Sequence, residues 1–303
     1  MILFVNGCVR ENSRTLELAQ AVLEKESDAV EEVRLYPGGP EGLDAEKLAL
    51  RDELLATGDL DHPMLRWSRQ FAEAETIVIA APYWDLAFPA KVRAYLEEVT
   101  VSGITFHYGE NGIPQGLCRA KKLIYVTTAG GPIFQNYGYE YVKALAQVFY
   151  GIPEVSLVKA EGLDARKLSL RDELLAKGEY GHPMFDLARQ FAQADAIVLA
   201  APYWDLAFPA KVRAYLEEVT VSGVTFRYGE NGIPQGLCKA RRLVYVTTAG
   251  GPIFQNYGYK YVKALAQGFY GIPEVTMVKA EGLDIFGADP EAIMAAAIAE
   301  ISA

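Results

Sequence analysis

The 303-residue sequence contains few cysteines, few histidines and no long apolar run. Its three cysteines, Cys8, Cys118 and Cys238, share no CxxC spacing, which favours reduced thiols over disulfides or a zinc site. Two of its three histidines, His62 and His182, lie in matching His-Pro-Met segments, and the three form no ligand cluster, so we expect no bound metal. No apolar stretch reaches the roughly 18 residues of a membrane span, and we expect no membrane partner.

Basic residues are also in the minority. The chain has 29 Lys and Arg against 39 Asp and Glu, a net charge of -10, which argues against nucleic acid and anionic membranes as partners. A phosphorylated ligand stays possible, because the amides at one helix start hold a phosphate locally. No basic segment precedes the apolar run at Met1, so we expect no secretory signal and a cytoplasmic location.

What the sequence does contain is a long internal duplication. The tetrapeptide Glu-Gly-Leu-Asp occurs at 41–44, at 161–164 and at 281–284, an offset of 120 residues (161 − 41 = 120). The block 80–103 returns unchanged as 200–223. This period exceeds the ~20–50 residues of solenoid repeats, so it indicates a duplicated domain fragment. We predict a complete domain over residues 1–160 and a partial duplicate over 161–303 that lacks the first β-α-β unit.

Apolar runs and helical patterns alternate along the chain, which predicts a parallel α/β sheet with helices on both faces. The N-terminal part supplies strands at 2–6 and 32–36 around a helix at 13–26, capped by Asn12 or Ser13. In each copy we expect a helix (63–74; 183–194), a strand (76–81; 196–201), a helix from Pro89 or Pro209, a strand (123–127; 243–247), a helix ending at Gly151 or Gly271 and a strand (155–159; 275–279). A closing helix is predicted only at 290–301.

Ligands of such sheets bind beyond the carboxyl ends of the strands, where three segments stand out. The first, residues 6–15 (the N-terminal turn), joins a strand to a helix start that suits a phosphate. Hydroxyls of Ser13 and Thr15 can donate to it, and Arg10 and Arg14 can add charge. The pattern is neither GxGxxG nor a P-loop, so an ordinary capped helix is an equal alternative.

The other two segments are an aromatic turn at 81–89 and a glycine turn at 125–132. Pro82, Tyr83 and Trp84 suit the face and polar edge of a flat ring, although core packing or a dimer contact explains them as well. The glycine turn combines paired threonines with two glycines that let backbone approach a ligand. The three segments together predict a ligand site at one sheet edge.

The order and spacing of several motifs resemble the FMN-dependent NADH azoreductase and NAD(P)H:quinone reductase family. The motifs are Pro-Tyr-Trp at 82–84, Pro-Ala-Lys at 89–91 with Tyr95, Gly-Ile-Thr-Phe at 103–106, Gly116-Leu117, Thr-Thr-Ala-Gly-Gly at 127–131 and Ala-Glu-Gly at 160–162. The resemblance implies a flavodoxin-like sheet in the order 2-1-3-4-5, FMN as cofactor and NADH or NADPH as co-substrate. It further implies a ping-pong transfer to a quinone or azo compound and a homodimer.

The resemblance also implies roles for particular residues. Ser13 and Thr15, with Arg14 between them, correspond to phosphate contacts, and no protein nucleophile or metal is required because the flavin carries the chemistry. The ring loop corresponds to Pro82, Tyr83, Trp84 and Asp85, and the pyrimidine and ribityl side to Thr127, Thr128, Ala129, Gly130 and Gly131. The equivalents in the second copy are Pro202, Tyr203, Trp204, Asp205, Thr247, Thr248, Ala249, Gly250 and Gly251.

The duplication gives the chain one N-terminal turn but two aromatic and two glycine turns. One chain therefore completes only one five-stranded sheet. We expect the nearer copy to complete the sheet, because it closes the shorter loop, which is favoured entropically by about 1 kcal/mol. The alternative is a swapped arrangement in which the N-terminal unit docks on residues 161–303. The unused strand, 76–81 or 196–201, is left as an apolar edge that invites another chain or an intrachain pseudo-dimer. Other open functions are a flavin-free interaction module, a flavodoxin-type electron carrier and a reductase with another acceptor.

Overall fold

The computed structural model describes residues 1–26, 28–109, 112–163, 170–230 and 232–301. The chain divides into two compact units, Met1–Asp164 (unit 1) and Ala165–Ala303 (unit 2). Within the described ranges, no helix has both the length and the apolar character needed to cross a membrane.

Unit 1 alternates strands and helices along the chain. Its strands are β1 (Ile2–Asn6), β2 (Val30–Arg34), β3 (Thr76–Ala80), β4 (Phe106–Tyr108), β5 (Pro114–Gly116), β6 (Lys122–Thr128) and β7 (Glu154–Ala160). Its helices are α1 (Arg14–Leu23), α2 (Ala45–Thr57), α3 (Arg66–Glu73), α4 (Ala90–Val99) and α5 (Tyr137–Leu145). A 3₁₀ turn at Pro63–Leu65 precedes α3, and a π-helical turn at Ala146–Tyr150 extends α5 to the left-handed Gly151.

Five of these strands form one parallel sheet in the order β2-β1-β3-β6-β7. This confirms the predicted α/β class and the order 2-1-3-4-5. The strand β1 pairs with β3 of the first copy, with Ile2 opposite Thr76 and Asn6 opposite Ala80. Because neighbouring parallel strands end at the same edge, the turns after β1, β3 and β6 leave the sheet side by side.

One side of this sheet is covered by α1, which packs on β3 and β6. The apolar cluster there contains strand residues that are almost completely buried and helix residues that are partly buried. Its members include Ile2, Phe4, Val78, Ala80, Ile124 and Val126 from the strands and Leu16, Val22 and Leu23 from the helix. The β4–β5 hairpin is antiparallel and separate from the main sheet.

Unit 2 repeats the later part of this fold. Its strands are β8 (Ala196–Ala200), β9 (Phe226–Tyr228), β10 (Pro234–Gly236), β11 (Arg242–Ala249) and β12 (Glu274–Glu281). Its helices are α6 (Leu170–Lys177), α7 (Asp186–Gln193), α8 (Ala210–Val219), α9 (Tyr257–Leu265) and α10 (Pro290–Ile301), with short turns at Pro183–Phe185 and Ala266–Tyr270. The strands β12, β11 and β8 form a parallel sheet, which is the predicted partial copy, and α10 is the predicted closing helix.

Four elements of unit 1 differ from the sequence prediction, which gave no strands where β4 and β5 lie. The other two are β2 and α2. The second strand was expected at 32–36 but lies at Val30–Arg34; it is an edge strand in which only Val33 is buried, so its pairing with β1 sets its bounds. The helix α2 was not predicted, although it has ordinary end signals. Asp44 Oδ1 accepts a hydrogen bond from Lys47 N at 2.9 Å, and Gly58 ends the helix in the left-handed region at φ 74°.

Candidate functional site

The structure brings the three predicted segments of unit 1 together at the carboxyl ends of β1, β3 and β6. The Oγ1 atoms of Thr15 and Thr128 lie 2.7 Å apart, which joins the N-terminal turn to the glycine turn. The amide of Tyr83 donates to the Thr128 carbonyl at 3.1 Å, which joins the aromatic turn to the glycine turn. Thr128 therefore connects all three segments through two different groups.

The N-terminal turn is packed closely against the sheet. The Gly7 amide donates to the Ala80 carbonyl at 2.8 Å, and a Cβ at Gly7 would lie only 2.5 Å from Val92 Cγ2, so the position requires glycine. Asn6 braces the turn, because its Oδ1 accepts from Cys8 N and its Nδ2 donates to Glu32 Oε1. The sequence did not predict that Asn6 and Glu32 support this turn, because their hydrogen bond depends on the pairing of β1 with β2.

Ser13 occupies the N-cap position of α1 in extended backbone, but its side chain makes no capping hydrogen bond. The predicted capping role of its hydroxyl is therefore wrong. Next to it, Thr15 is 1% exposed and Arg14 is half-buried. The Arg14 Nε is buried, and among the described residues it has no hydrogen-bond partner. Since buried donors are normally paired, this atom suits a ligand with acceptor oxygens at the helix start.

The nearby thiol of Cys8 is expected to be unreactive at neutral pH. Burial raises the pKa of Cys8 to about 11, and a hydrogen bond with Ser13 offsets only part of that rise. Thiols react as thiolates, so this cysteine is not suited to nucleophilic chemistry. Among the described residues, no three His, Cys, Asp or Glu side chains come together as a metal site requires.

The aromatic turn has an unusual backbone conformation. Asp85 and Leu86 both adopt left-handed angles, at φ 48° and 65°, which costs on the order of 1–3 kcal/mol for each non-glycine residue. Two backbone hydrogen bonds stabilise this conformation: Trp84 N donates to the Ala87 carbonyl at 3.1 Å, and Ala87 N donates to the Trp84 carbonyl at 2.8 Å. The Tyr83 hydroxyl also donates to the Gln135 carbonyl at 2.7 Å.

Side chains of the aromatic turn separate into two groups. Phe88 is buried and packs against the ring of Tyr141 at a centroid distance of 6.1 Å, so it belongs to the core. Pro82, Tyr83 and Trp84 are half-buried and keep part of their surface open. Aromatic faces of this kind can contact a flat ring.

The glycine turn is held by the strand next to it. The Ala129 amide donates to the Ala160 carbonyl at 3.0 Å, and Glu161 Oε2 accepts from Ile133 N at 2.6 Å. That hydrogen bond, together with the Lys159 ammonium, lowers the pKa of Glu161 below its ordinary value. Glu161 was not singled out as a site residue, although it stands in the Ala-Glu-Gly motif at 160–162.

Two features of the glycine turn suit a polar ligand. Thr127 is completely buried, and its Oγ1 has no hydrogen-bond partner among the described residues. Gly130 and Gly131 are exposed, and a Cβ at Gly131 would meet no atom within 4 Å. The turn therefore offers an unsatisfied hydroxyl next to accessible backbone.

Unit 2 repeats the aromatic and glycine turns with nearly the same geometry. The Tyr203 amide donates to the Thr248 carbonyl at 2.8 Å, Asp205 and Leu206 adopt φ 48° and 66°, and Ile253 N donates to Glu281 Oε2 at 2.8 Å. The second-copy residues predicted for the ring loop and the ribityl side all belong to these two turns. Within the described part of unit 2, no strand precedes β8 in its sheet, so no equivalent of the N-terminal turn accompanies them.

A carboxylate packs against the glycine turn of unit 2. A Cβ at Gly250 would lie 2.1 Å from Asp284 Oδ2, so the Asp284 carboxylate sits directly against this glycine. The equivalent residue of the first copy, Asp164, lies outside the described residues.

Comparison with known proteins places the chain in a family. The model of the flavodoxin-like fold family matches residues 1–180 and 184–303. An FMN-dependent NADH:quinone oxidoreductase 2 of Clostridium acetobutylicum is 36% identical over 163 residues, 50% of this chain and 80% of that protein. The FMN-dependent NADH:quinone oxidoreductase of Coprothermobacter proteolyticus is 35% identical over 165 residues, 51% of this chain and 81% of that protein.

Among solved structures, one similar chain is an FMN-dependent NADH-azoreductase from Bacillus anthracis in complex with FMN. The alignment covers 59% of this chain and 95% of the azoreductase chain. Its sequence identity is 21% and the TM-score is 0.46. The family match spans both copies, and the five-stranded sheet of unit 1 has the order that the resemblance implied. This chain therefore belongs to the flavodoxin-like fold family.

Proposed function

We propose that the chain is an FMN-dependent oxidoreductase, with residues 1–160 as the FMN-binding domain, that transfers electrons from NADH or NADPH to a quinone or azo compound. The names of its relatives from Clostridium acetobutylicum and Coprothermobacter proteolyticus support this activity class. The observation that carries the proposal is the convergence of three turns on Thr128, through its hydroxyl and its carbonyl. We also propose a homodimer and a cytoplasmic location, the latter because the three cysteines are free thiols.

The phosphate of FMN would lie at the start of α1. Unpaired amides and the helix dipole favour an anion there, and Ser13 and Thr15 add hydroxyls. Arg14 contributes a positive charge, and its buried Nε, which has no partner among the described residues, needs an acceptor. A phosphate supplies acceptor oxygens of this kind.

The isoalloxazine ring would lie between the aromatic turn and the glycine turn. Pro82, Tyr83 and Trp84 offer half-buried apolar surface to the ring, and Asp85 stands at the strained bend. The unsatisfied hydroxyl of Thr127 and the exposed backbone of Gly130 and Gly131 suit the polar pyrimidine edge and the ribityl chain.

When bound, FMN supplies the hydride chemistry, so the protein needs to bind, orient and shield rather than to attack. The hydrogen-bonded turns hold the site in shape before the ligand arrives, which reduces the ordering cost of binding. We propose that nicotinamide and acceptor occupy the same open face in turn, the first leaving before the second binds. This order corresponds to a ping-pong mechanism.

The test is spectroscopic. We expect the purified protein to be yellow, to release a flavin on denaturation, and to bleach when NADH or NADPH is added without oxygen. A quinone or an azo dye should then restore the colour. Protein that cannot be reconstituted with FMN would instead favour a flavin-free interaction module. Slow bleaching by nicotinamide with rapid reduction by a protein donor would favour an electron carrier.

A further inference from the structure

The edge strand of unit 2, β8, has an apolar surface that is left open. Among the described residues β8 pairs only with β11, so its other edge has no strand beside it. Its sequence, Ala-Ile-Val-Leu-Ala, carries no charge, and Val198 is 68% exposed. Natural sheets usually protect such an edge, because it can pair with another strand.

Unit 1 shows what covers the same surface when a cover is present. Val78, the counterpart of Val198, is 0% exposed because β1 pairs along β3 and α1 packs over that side of the sheet. The apolar surface around Val198 is similar to the surface around Val78 in unit 1. Ile124 and Val126 of β6, which pack beside Val78, correspond to Val244 and Val246 of β11, which are half-buried. The segment 1–34, comprising β1, α1 and β2, is therefore the observed partner of a nearly identical surface.

The polar contacts of this segment are preserved as well. In unit 1, Thr15 pairs with Thr128, Glu26 with Lys122 at 3.0 Å, Glu31 with Gln70 at 2.6 Å, and the Met1 ammonium with Glu75. Each partner has the same or a like-charged residue 120 positions later, namely Thr248, Arg242, Gln190 and Asp195. Unit 2 therefore keeps both the hydrogen-bonding groups and the charge signs that the segment requires.

Close packing is also retained. Gly7 fits against Ala80 and Val92 in unit 1, and these residues return as Ala200 and Val212. The register that pairs β1 with β3 places Phe4 opposite Val78. In the same register on β8, Phe4 would lie opposite the exposed Val198 and cover it.

We propose that the β8 edge and the apolar face beside it are a docking surface for the β-α-β segment of residues 1–34 contributed by a second copy of this chain. Docking completes a five-stranded parallel sheet and buries Val198. Each chain has one such segment, which is paired with its own β3, and two acceptor strands. A second copy therefore fills the surface only by releasing its segment from β3, whereas segments added in excess fill it without that release. In a step that rests on the proposed function, the docked segment places a second N-terminal turn beside Tyr203 and Thr248 and creates a second FMN site.

The experiment supplies an excess of the segment as a peptide. A fluorescently labelled peptide of residues 1–40 is added to the full-length protein, and binding is followed by fluorescence anisotropy, which needs no flavin. We expect saturable binding of one peptide per chain. Val198→Lys should weaken it at least tenfold while leaving the fold intact, because this side chain is exposed. The control Val148→Lys changes another exposed valine, in unit 1, and should leave the Kd unchanged.

A charge exchange tests the orientation of the segment. Arg242→Glu should weaken binding several-fold, and the Glu26→Lys peptide should restore it, because the pair would occupy the place of Lys122 and Glu26 in unit 1. The same peptide with the wild-type protein should bind more weakly than the unmodified one.

No peptide binding, or equal binding to wild type and Val198→Lys, would overturn the proposal. So would self-association without peptide that Val198→Lys abolishes but Arg242→Glu leaves unchanged, since the occupant would then be a second β8 edge and not the segment that carries Glu26. Bound FMN, measured separately, should rise from one to two per chain with peptide. Peptide binding with one flavin per chain would contradict only the second FMN site, whereas binding with no flavin at all would contradict the proposed function and leave the docking surface supported.

Discussion

Two hydroxyl groups, on Thr15 and Thr128, join the N-terminal helix to the glycine turn at 2.7 Å. The residues are 113 positions apart, and Thr15 is almost completely buried. A hydroxyl can donate one hydrogen bond and accept others, so this pair can connect the two turns and still contact a ligand. The pair is thus a partly buried polar link at the carboxyl edge of the sheet.

We expect Thr15→Val to weaken FMN binding about fivefold to tenfold, since a net hydrogen bond contributes about 1 kcal/mol. Thr128→Val should have a similar effect, and the double variant should be less than additive because both changes remove the same bond. Titration of the apoprotein with FMN, followed by flavin fluorescence, measures these constants. Thr248→Val, the matched change in unit 2, should not alter them; an equal loss in Thr248→Val would contradict the assignment of the site to unit 1.

The buried thiols give a second prediction at the residue scale. Burial raises the pKa of Cys8 to about 11 and that of Cys118 to about 12, so both are protonated at pH 8. Iodoacetamide at pH 8 should therefore modify them at least tenfold more slowly in the folded protein than in urea, as read by mass spectrometry. Similar rates in both states would show that the thiols are accessible.

The same shifts have a consequence for stability. Because these pKa values are raised in the folded state, the thiols favour folding below their ordinary pKa near 9. That contribution is lost as the pH rises through about 11 to 12. The free energy of unfolding should fall over this alkaline range. In Cys8→Ala this fall with rising pH should be smaller than in the wild type.

At the scale of elements, one tetrapeptide has two structural roles. In 41–44, Leu43 N donates to Glu97 Oε1 at 2.7 Å and Asp44 caps α2. In 161–163, the chain instead follows β7, with Glu161 accepting from Ile133 N and Leu163 N donating to the Ala129 carbonyl. The copy at 281–284 behaves like the second. Tertiary surroundings, rather than local sequence, decide which role is adopted.

Glu161→Ala should loosen the glycine turn of unit 1. Ile133 would lose its carboxylate acceptor, so its amide should exchange with solvent at least tenfold faster, and FMN should bind more weakly. Hydrogen-exchange mass spectrometry and flavin titration measure the two effects. The matched variant Glu281→Ala should change exchange at Ile253 and leave FMN binding unchanged.

This link is also expected to depend on pH. The pKa of Glu161 is lowered, first by the Ile133 amide and then by Lys159, so its contribution is present above the ordinary pKa of 4.5 and is lost as the pH falls through the folded value. Protection of the Ile133 amide should therefore decrease below about pH 4.5. Protection that is constant at lower pH would argue against a role for the ionised carboxylate.

For the whole molecule, we predict one FMN per chain. Unit 1 combines all three turns, whereas the described part of unit 2 has only the aromatic and glycine turns. Without a helix start to hold the phosphate, the second site loses the group that anchors the charged end of the cofactor. Flavin released by denaturation, divided by protein from amino-acid analysis, gives the stoichiometry. Two tightly held flavins per chain in the absence of added peptide would contradict this prediction.

The sequence by itself determined the class of this protein. Buried apolar runs alternating with helical patterns predict a parallel α/β sheet, and the motif order implies a flavodoxin-like arrangement; the strand order and the family match confirm both. The duplication and the closing helix Pro290–Ile301 were also visible, because each is a property of contiguous residues. The functional boundary at residue 160 and the FMN contacts stay predictions.

Only the tertiary structure decided how the parts are paired. Residues 76–80 and 196–200 have almost the same pattern, so local periodicity does not distinguish them as partners for β1, and the structure pairs β1 with the first. The link between Thr15 and Thr128 and the bounds of β2 likewise depend on contacts between distant residues. Local sequence encodes turns and periodicity over a few positions, whereas pairing depends on which surfaces meet when the chain folds.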